Sequence, residues 1–457
     1  MNPNGSVMIV ADIFPPVAGV GVYRTVALSQ QLAKEGWKVV IITAAQRADA
    51  FIDEAMLNRV SASVRVIRAT NPNLPLIAAR MVGRRREPSS AIAPVSAGAR
   101  TGSASEGQGR VKRTIDWMSW WMHVPDTLTG WLIPAVRAGL REARREKTRV
   151  IYSTAPAWTS HVVGLTLSRL LSVPLVADFQ DPWCGSFWRR IPYRSQRWFD
   201  ERLEKMVVQR ASQITCCWDG IRRHIEARYP NRSGDISTIL NGFWSDETDE
   251  VEPVRLDEGR CVLLHAGVFY GPRSPKPLLR ALQQLRAESP ADAKDLLIAQ
   301  VGRTEYAGRH LQEIVRDHGV EDLVKIIPPV PRREALAMTK GASIALLFGQ
   351  SGYEKLASVP AKTFDYIGIG LPVLAIGGGD EVCRIIRDGG CRLWRVHEND
   401  TQGILIALRE ITEAHRNHSL AHSRDERRSA FAWPASAAKL ADVLVKAMTS
   451  KADRRGE

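Results

Sequence analysis

The sequence predicts an α/β protein made of two doubly wound, Rossmann-like domains in tandem. Three observations carry this. The first forty residues run strand, glycine-bearing loop, helix, strand, which is how a doubly wound parallel sheet begins. A second series of apolar strands alternating with helices starts at about residue 261. An acidic stretch, 246–258, lies between the two series. A chain of 457 residues is long enough for two or three cores, and 44% hydrophobic with 25% charged residues is the composition of a soluble globular protein.

The elements follow in order. Residues 7–11 form a short apolar strand, and Pro15, Pro16, Gly19 and Gly21 make a turn-rich loop. Helical spacing over 23–35 ends at Gly36, and 39–43 is the second strand. Residues 84–113 are rich in Arg, Ser, Gly and Ala and poor in large apolar groups, so they are expected to be a flexible loop. A tight aromatic cluster, Trp117, Trp120 and Trp121, comes next. Strands at 150–153, 175–178, 214–217 and 237–240 alternate with helices at 160–171, 193–210 and 219–228. The second series has strands at 261–266, 296–301, 324–327, 344–348 and 373–376, and a final helix spans 435–448. The expected division is 1–245, 246–430, and a C-terminal helix and tail, 431–457, that packs back on the first domain.

Charge and cysteine usage narrow the class. The formal charge of +14 suggests an anionic partner: nucleic acid, an acidic lipid surface or a phosphorylated substrate. Eight basic residues against two acids place six of those charges between Arg80 and Arg113. The six cysteines show no metal-ligand spacing, and Cys216 and Cys217 are adjacent, so a reducing, cytosolic compartment is expected. The N-terminus lacks the pattern of a secretory signal, and no run of eighteen apolar residues exists to span a membrane. Zinc-protease, P-loop and nucleophile-elbow patterns are absent.

The most informative stretch is 357–376. A Pro-Ala-Lys loop (Lys362) opens a short amphipathic helix bearing Asp365, the helix stops at Gly368 and Gly370, and an apolar strand follows. A helix N-terminus beside a lysine attracts anions, and an acid nearby can hold ribose hydroxyls. The bland reading is an ordinary helix-to-strand turn. Gly267, Arg273 and Lys276 occupy the first strand-to-helix loop of the second domain. They offer close backbone approach, a bidentate phosphate ligand and a point charge, unless the loop is merely solvated. In the first domain Gly19, Gly21 and Arg24 mark a helix start that could face an anion or be a structural turn. His161 falls in the first turn of a helix at the sheet's carboxyl edge, where it is either structural or faces a ligand. Asp178 and Asp181 end another strand and could bind sugar hydroxyls, although Asp181 could also simply start the turn before Pro182.

Taken in order, these blocks resemble a glycosyltransferase of the GT-B fold, in the large retaining family numbered four. The opening from Pro15 to Arg24 resembles its N-terminal glycine loop. Val124-Pro-Asp…Trp131, Thr154-x-Pro-x₄-His161 and Asp178-Phe-Gln-Asp181-Pro-Trp183 match blocks of a bacterial branch. His265-x-Gly267…Arg273 and Val359-Pro-Ala-Lys-Thr-Phe-Asp-Tyr366…Gly370-Leu-Pro-Val373 match its donor-binding half. The resemblance covers roughly residues 7–445. It implies two domains facing across a cleft, an acceptor held by the N-terminal half and a nucleotide-sugar held by the C-terminal half. Sugar transfer with retention, and no metal-centred mechanism or other cofactor, is implied as well. It assigns His161 and Asp181 to catalysis, Gly267, Arg273, Lys276 and Lys362 to the donor diphosphate, Asp365 to the ribose, and Gly19, Gly21 and Arg24 to the acceptor side. Two departures stand out. The family's usual pair of glutamates is eight positions apart, whereas Ala357 lies eight before Asp365, and Gln180 replaces an arginine.

The implied partners are a nucleotide-sugar donor and a saccharide or lipid-linked acceptor in surface polysaccharide or glycolipid assembly, with no nucleic acid. The implied location is cytoplasmic. Residues 80–122 combine arginines with tryptophans, which suits peripheral attachment to an anionic membrane at the inner face. Alternatively, the tryptophans pack inside the first domain. A sugar-nucleotide epimerase of the same architecture, a basic nucleic-acid-binding protein and a non-catalytic relative are the competing functions.

Overall fold

The computed structural model describes residues 5–17, 19–46, 52–72, 117, 120–185, 191–269, 273–349 and 359–456. The proposed basic loop 84–113 and Ala357 lie outside them. The chain divides into two compact units, Met1–Leu240 with Ser436–Glu457, and Asn241–Ala435.

The first unit contains a seven-stranded sheet: β1 (Ser6–Val10), β2 (Lys38–Ala44), β3 (Arg65–Ala69), β4 (Val150–Ala155), β5 (Leu175–Phe179), β6 (Gln213–Cys216) and β7 (Ile236–Thr238). The strand order is β3-β2-β1-β4-β5-β6-β7, and every pairing is parallel. The connection reverses direction between β1 and β4, so the loops after these strands diverge and leave a crevice at their carboxyl ends. β1, β4 and β5 are buried along their whole length, which is why they read as continuous apolar runs. Helix α1 (Val20–Lys34) follows β1 and ends where Gly36 adopts φ 88°. The C-terminal helix Trp433–Gly456 anchors to this unit, with the Ser436 hydroxyl donating to the Leu240 carbonyl at 2.9 Å.

The second unit contains β8 (Cys261–Ala266), β9 (Leu296–Val301), a short hairpin of β10 (Glu305–Tyr306) and β11 (Arg309–His310), β12 (Val324–Ile327), β13 (Ile344–Phe348), β14 (Val373–Ile376) and β15 (Leu393–Val396). Its six-stranded parallel sheet runs β12-β9-β8-β13-β14-β15 and reverses between β8 and β13. The two units therefore repeat one plan.

Several elements were not legible in the sequence. β3 and β15 carry arginines and lie at sheet edges, where half-exposed strands lose the apolar run. Helix Leu132–Glu146 has Pro134 in its first turn and a strongly basic face. Ser245–Glu250, which overlaps the acidic stretch 246–258, forms a short helix. β7 begins one residue earlier than expected and ends at Thr238. Helix Lys362–Ile369 does not stop at Gly368. That glycine sits inside it, because an added Cβ would come within 2.5 Å of the Phe243 ring, and Gly370 at φ 76° ends the helix.

Candidate active site

Strand register builds the centre of the first unit. Asp178 on β5 lies opposite Thr154 on β4 and Thr215 on β6. Each hydroxyl donates to its carboxylate, at 2.8 and 2.7 Å. Arg24 reaches in from α1 and pairs with the same carboxylate in a bidentate way, Nε at 3.0 Å and Nη2 at 2.8 Å, while Nη1 donates to the Ile239 carbonyl. Both side chains are fully buried. Burial alone would raise Asp178, but Arg24 and the two hydroxyls outweigh it and hold the acid below its ordinary value. Arg24 and Asp178 are thus spent on each other, and the guanidinium ties α1 to the segment just after the last strand of the sheet. Gly19 precedes α1, and Gly21 lies where an added Cβ would be 3.4 Å from the Gln180 amide. The Gln180 amide in turn donates to Thr154 at 2.7 Å.

His161 occupies the first turn of helix Thr159–Leu171, directly after β4. It is wholly buried. Its Nδ1 is 2.8 Å from the Ser153 hydroxyl, and Nε2 has no hydrogen-bond partner among the described residues. Phe179 lies 4.6 Å away, and the stacked pair Trp158 and Trp183 completes the aromatic wall. Burial depresses its pKa to about 3, so the ring is neutral at physiological pH. Asp126, from the Val-Pro-Asp block, caps this helix: it accepts from the Thr159 backbone N–H at 2.8 Å and its hydroxyl at 2.7 Å. Asp12, in the loop after β1, is pushed up to about 7 by burial and by the nearby Asp126 carboxylate. Burial alone brings Asp181 to about 7. Asp12 and the capping role of Asp126 carried no sequence signal, since both depend on loops from separate strands meeting.

In the second unit the loops flanking the β8/β13 reversal bring three of the expected residues together. His265 near the end of β8 lies in register with Gln300 on β9. The imidazole Nδ1 is 2.6 Å from Gln300 Oε1, and Gln300 Nε2 donates to the Gly267 carbonyl at 2.9 Å. Lys362, the first residue of helix Lys362–Ile369, donates to His265 Nε2 at 2.7 Å and to the Ala266 carbonyl at 3.1 Å. Gly267 has φ 158°, and a Cβ there would stand 2.6 Å from Lys362 Nζ. Burial and the Arg273 guanidinium push Lys362 down to about 7. Burial, then Lys362, drives His265 far below its ordinary value, although the Gln300 hydrogen bond opposes them. Behind His265 lies an apolar cavity lined by Phe269, Leu278, Leu346 and Phe348. Lys276 is exposed at the start of helix Lys276–Glu288.

Asp365 points to a different partner. Its carboxylate is clamped by Arg332 through bonds of 3.1 and 2.8 Å. Arg332 also meets Glu247 at 3.0 Å and lies over the Trp244 ring. The sequence reading missed Arg332, which sits 33 residues away on a separate helix.

Residues 18–242 match the family model described as a glycosyl transferase 4-like domain. Those residues form a glycosyl transferase 4-like domain. Its relatives include the D-inositol 3-phosphate glycosyltransferase of Nocardiopsis dassonvillei, 25% identical over 336 residues, which are 70% of this chain and 76% of that protein. Among solved structures, a glycosyltransferase from Rickettsia africae superposes with TM-score 0.60 at 11% identity over 98% of this chain and 99% of that one. Anabaena HepE, in complex with UDP, does so with TM-score 0.56 at 12% identity over 96% and 99%. These structures share the fold, that of the GT-B glycosyltransferases.

Proposed function

We propose that this glycosyltransferase acts with retention of configuration, moving a sugar from a nucleoside-diphosphate donor to a saccharide or lipid-linked acceptor in surface polysaccharide or glycolipid assembly. The observation that carries it is the meeting of Lys362 and Gly267 at the carboxyl edge of the second sheet, with the Arg273 guanidinium near enough to depress the Lys362 ammonium. Glycine backbone and two cations at a strand reversal suit a diphosphate. Charge that builds on the leaving diphosphate is stabilised there by fixed cations, with no metal called on. Lys276 adds a solvent-side cation. Asp365 keeps one lone pair on each oxygen beyond its Arg332 bonds, enough to accept ribose hydroxyls.

The first unit holds the acceptor. His161 serves as a neutral donor or acceptor through Nε2, and its depressed pKa speaks against a role as a proton-transfer acid. Asp181 and Asp12, close to half ionised near pH 7, suit hydroxyl groups and proton exchange. Gly19 and Gly21 allow close approach, while Arg24 contributes by holding α1 in place.

A lipid-linked acceptor and a cytoplasmic, membrane-surface location draw support from helix Arg194–Arg210. Trp198 is 62% exposed on it, Phe199 and Trp117 are also exposed, and Arg194, Arg197, Arg202 and Lys205 share its outer face. Tryptophan and cations of this kind favour an anionic bilayer surface. Among the described residues no helix is long and apolar enough to cross a membrane.

Thermal stabilisation by UDP, GDP, ADP and dTDP, and by their sugars, tests the donor site. One nucleotide should raise Tm in the wild type and fail to do so in Lys362→Ala. No shift with any of them would reject the donor reading and direct attention to the nucleic-acid and non-catalytic alternatives. Sedimentation with anionic vesicles tests the surface: Trp198→Ala and a deletion of 84–113 should each pellet less than the wild type, and equal pelleting of all three would reject it.

A further inference from the structure

We propose that Gln300 is a positioning residue that fixes the tautomer of His265, and through it the place of the Lys362 ammonium. This rests on Lys362 being a ligand of the donor diphosphate.

The direction of every hydrogen bond in the chain is forced. The Gly267 carbonyl can only accept, so the NH₂ end of Gln300 must face it, at 2.9 Å. The carboxamide oxygen is then turned to His265 Nδ1, at 2.6 Å, and an amide oxygen can only accept. Nδ1 must therefore carry the proton. The imidazole is held neutral by its burial and by the adjacent Lys362, so Nε2 keeps a lone pair. Lys362 Nζ donates to that lone pair at 2.7 Å. This holds whether the lysine is charged or not, because Nε2 has no proton to give. His265 is also braced by Phe269 and Phe348, with ring centroids 4.7 and 5.0 Å away.

The consequence is geometric. An ammonium has three N–H groups. Two are used by His265 Nε2 and the Ala266 carbonyl, which leaves one for a ligand. The same Gln300 side chain also tethers the Gly267 carbonyl, so a single residue sets both the cation and the glycine that makes room beside it. With the other tautomer, Nε2–H would oppose the lysine N–H groups, and the ammonium would lose its shortest tether.

The test reads the tautomer directly. Protein labelled with ¹⁵N-histidine is studied by long-range ¹H–¹⁵N correlation NMR, and the His265 signals are identified by their loss in His265→Gln. The expected pattern is a protonated Nδ1 and an unprotonated Nε2. Gln300→Met should mix or reverse the tautomers and weaken UDP binding roughly tenfold, about 1.4 kcal/mol. Gln300→Glu cannot donate to the Gly267 carbonyl and favours imidazolium, so it should protonate Nε2 and weaken UDP binding at least as much. A protonated Nε2 in the wild type would overturn the proposal without reference to any variant. So would an unchanged tautomer and unchanged UDP affinity in a folded Gln300→Met. If Lys362→Ala binds UDP as well as the wild type while His265 shows the expected tautomer, the donor reading fails and the positioning by Gln300 stands.

Discussion

Raising the pH should weaken nucleotide binding through one group, Lys362. Burial and Arg273 bring its ammonium down from 10.5 to about 7 in the free protein. A bound diphosphate supplies the missing counter-charge and returns the group toward its ordinary range. The bound state then holds a proton that the free state has partly lost, so affinity falls as pH rises above 7. At pH 7 about half the lysines are charged, and at pH 8.5 about 3%, which predicts a loss of about 15-fold in UDP affinity, about 1.6 kcal/mol. The terminal phosphate of UDP titrates near 6, below this window. Calorimetry in two buffers of different ionisation enthalpy should find about half a proton taken up per UDP at pH 7 and nearly one at pH 8.5. Lys362→Arg, always charged, should bind with a nearly flat profile. A wild-type dissociation constant that changes less than about twofold across the window, or a Lys362→Ala variant with the same slope, would refute the reasoning.

Other outcomes follow from the same geometry. Arg24→Met strands the buried Asp178 carboxylate and should cost about 3–5 kcal/mol in chemical denaturation, with little of it recovered by salt. Asp12 holds its proton to higher pH in the folded protein than in the unfolded chain, so it lowers stability as pH rises from about 4 through 7, and the deficit persists above 7. Asp12→Asn should therefore be more stable than the wild type in chemical denaturation at pH 8, by roughly 1–2 kcal/mol once its partial exposure is allowed for, and have no advantage at pH 3. Gly267→Ala places a methyl group against Lys362 Nζ. It should weaken UDP binding roughly tenfold or more while circular dichroism stays unchanged.

Much of the fold was legible because strand burial is a local property. β1, β8, β13 and β14 are apolar runs bounded by glycine or proline, and each was readable residue by residue. β3 and β15 were not, since an edge strand with an arginine on one face resembles a loop. The site divides in the same way. Lys362, Gly267 and Arg273 were readable because helix starts and glycine loops announce themselves in sequence. Gln300 and Arg332 were not, because an isolated glutamine in a strand, or an arginine opening a helix, gives no sign of its partner.

The sequence by itself determined that this chain forms two βα series, where the glycines and cations of the second series fall, and which family it resembles. Only the tertiary structure decided who meets whom. Arg24 and Asp178 are 154 residues apart, and sheet order closes them into a buried pair. Asp365 meets Arg332, and Gln300 meets His265 across a strand pair. The physical reason is that apolar periodicity is written along the chain, whereas a hydrogen bond or ion pair depends on strand order and register, which fix distance between residues far apart in sequence.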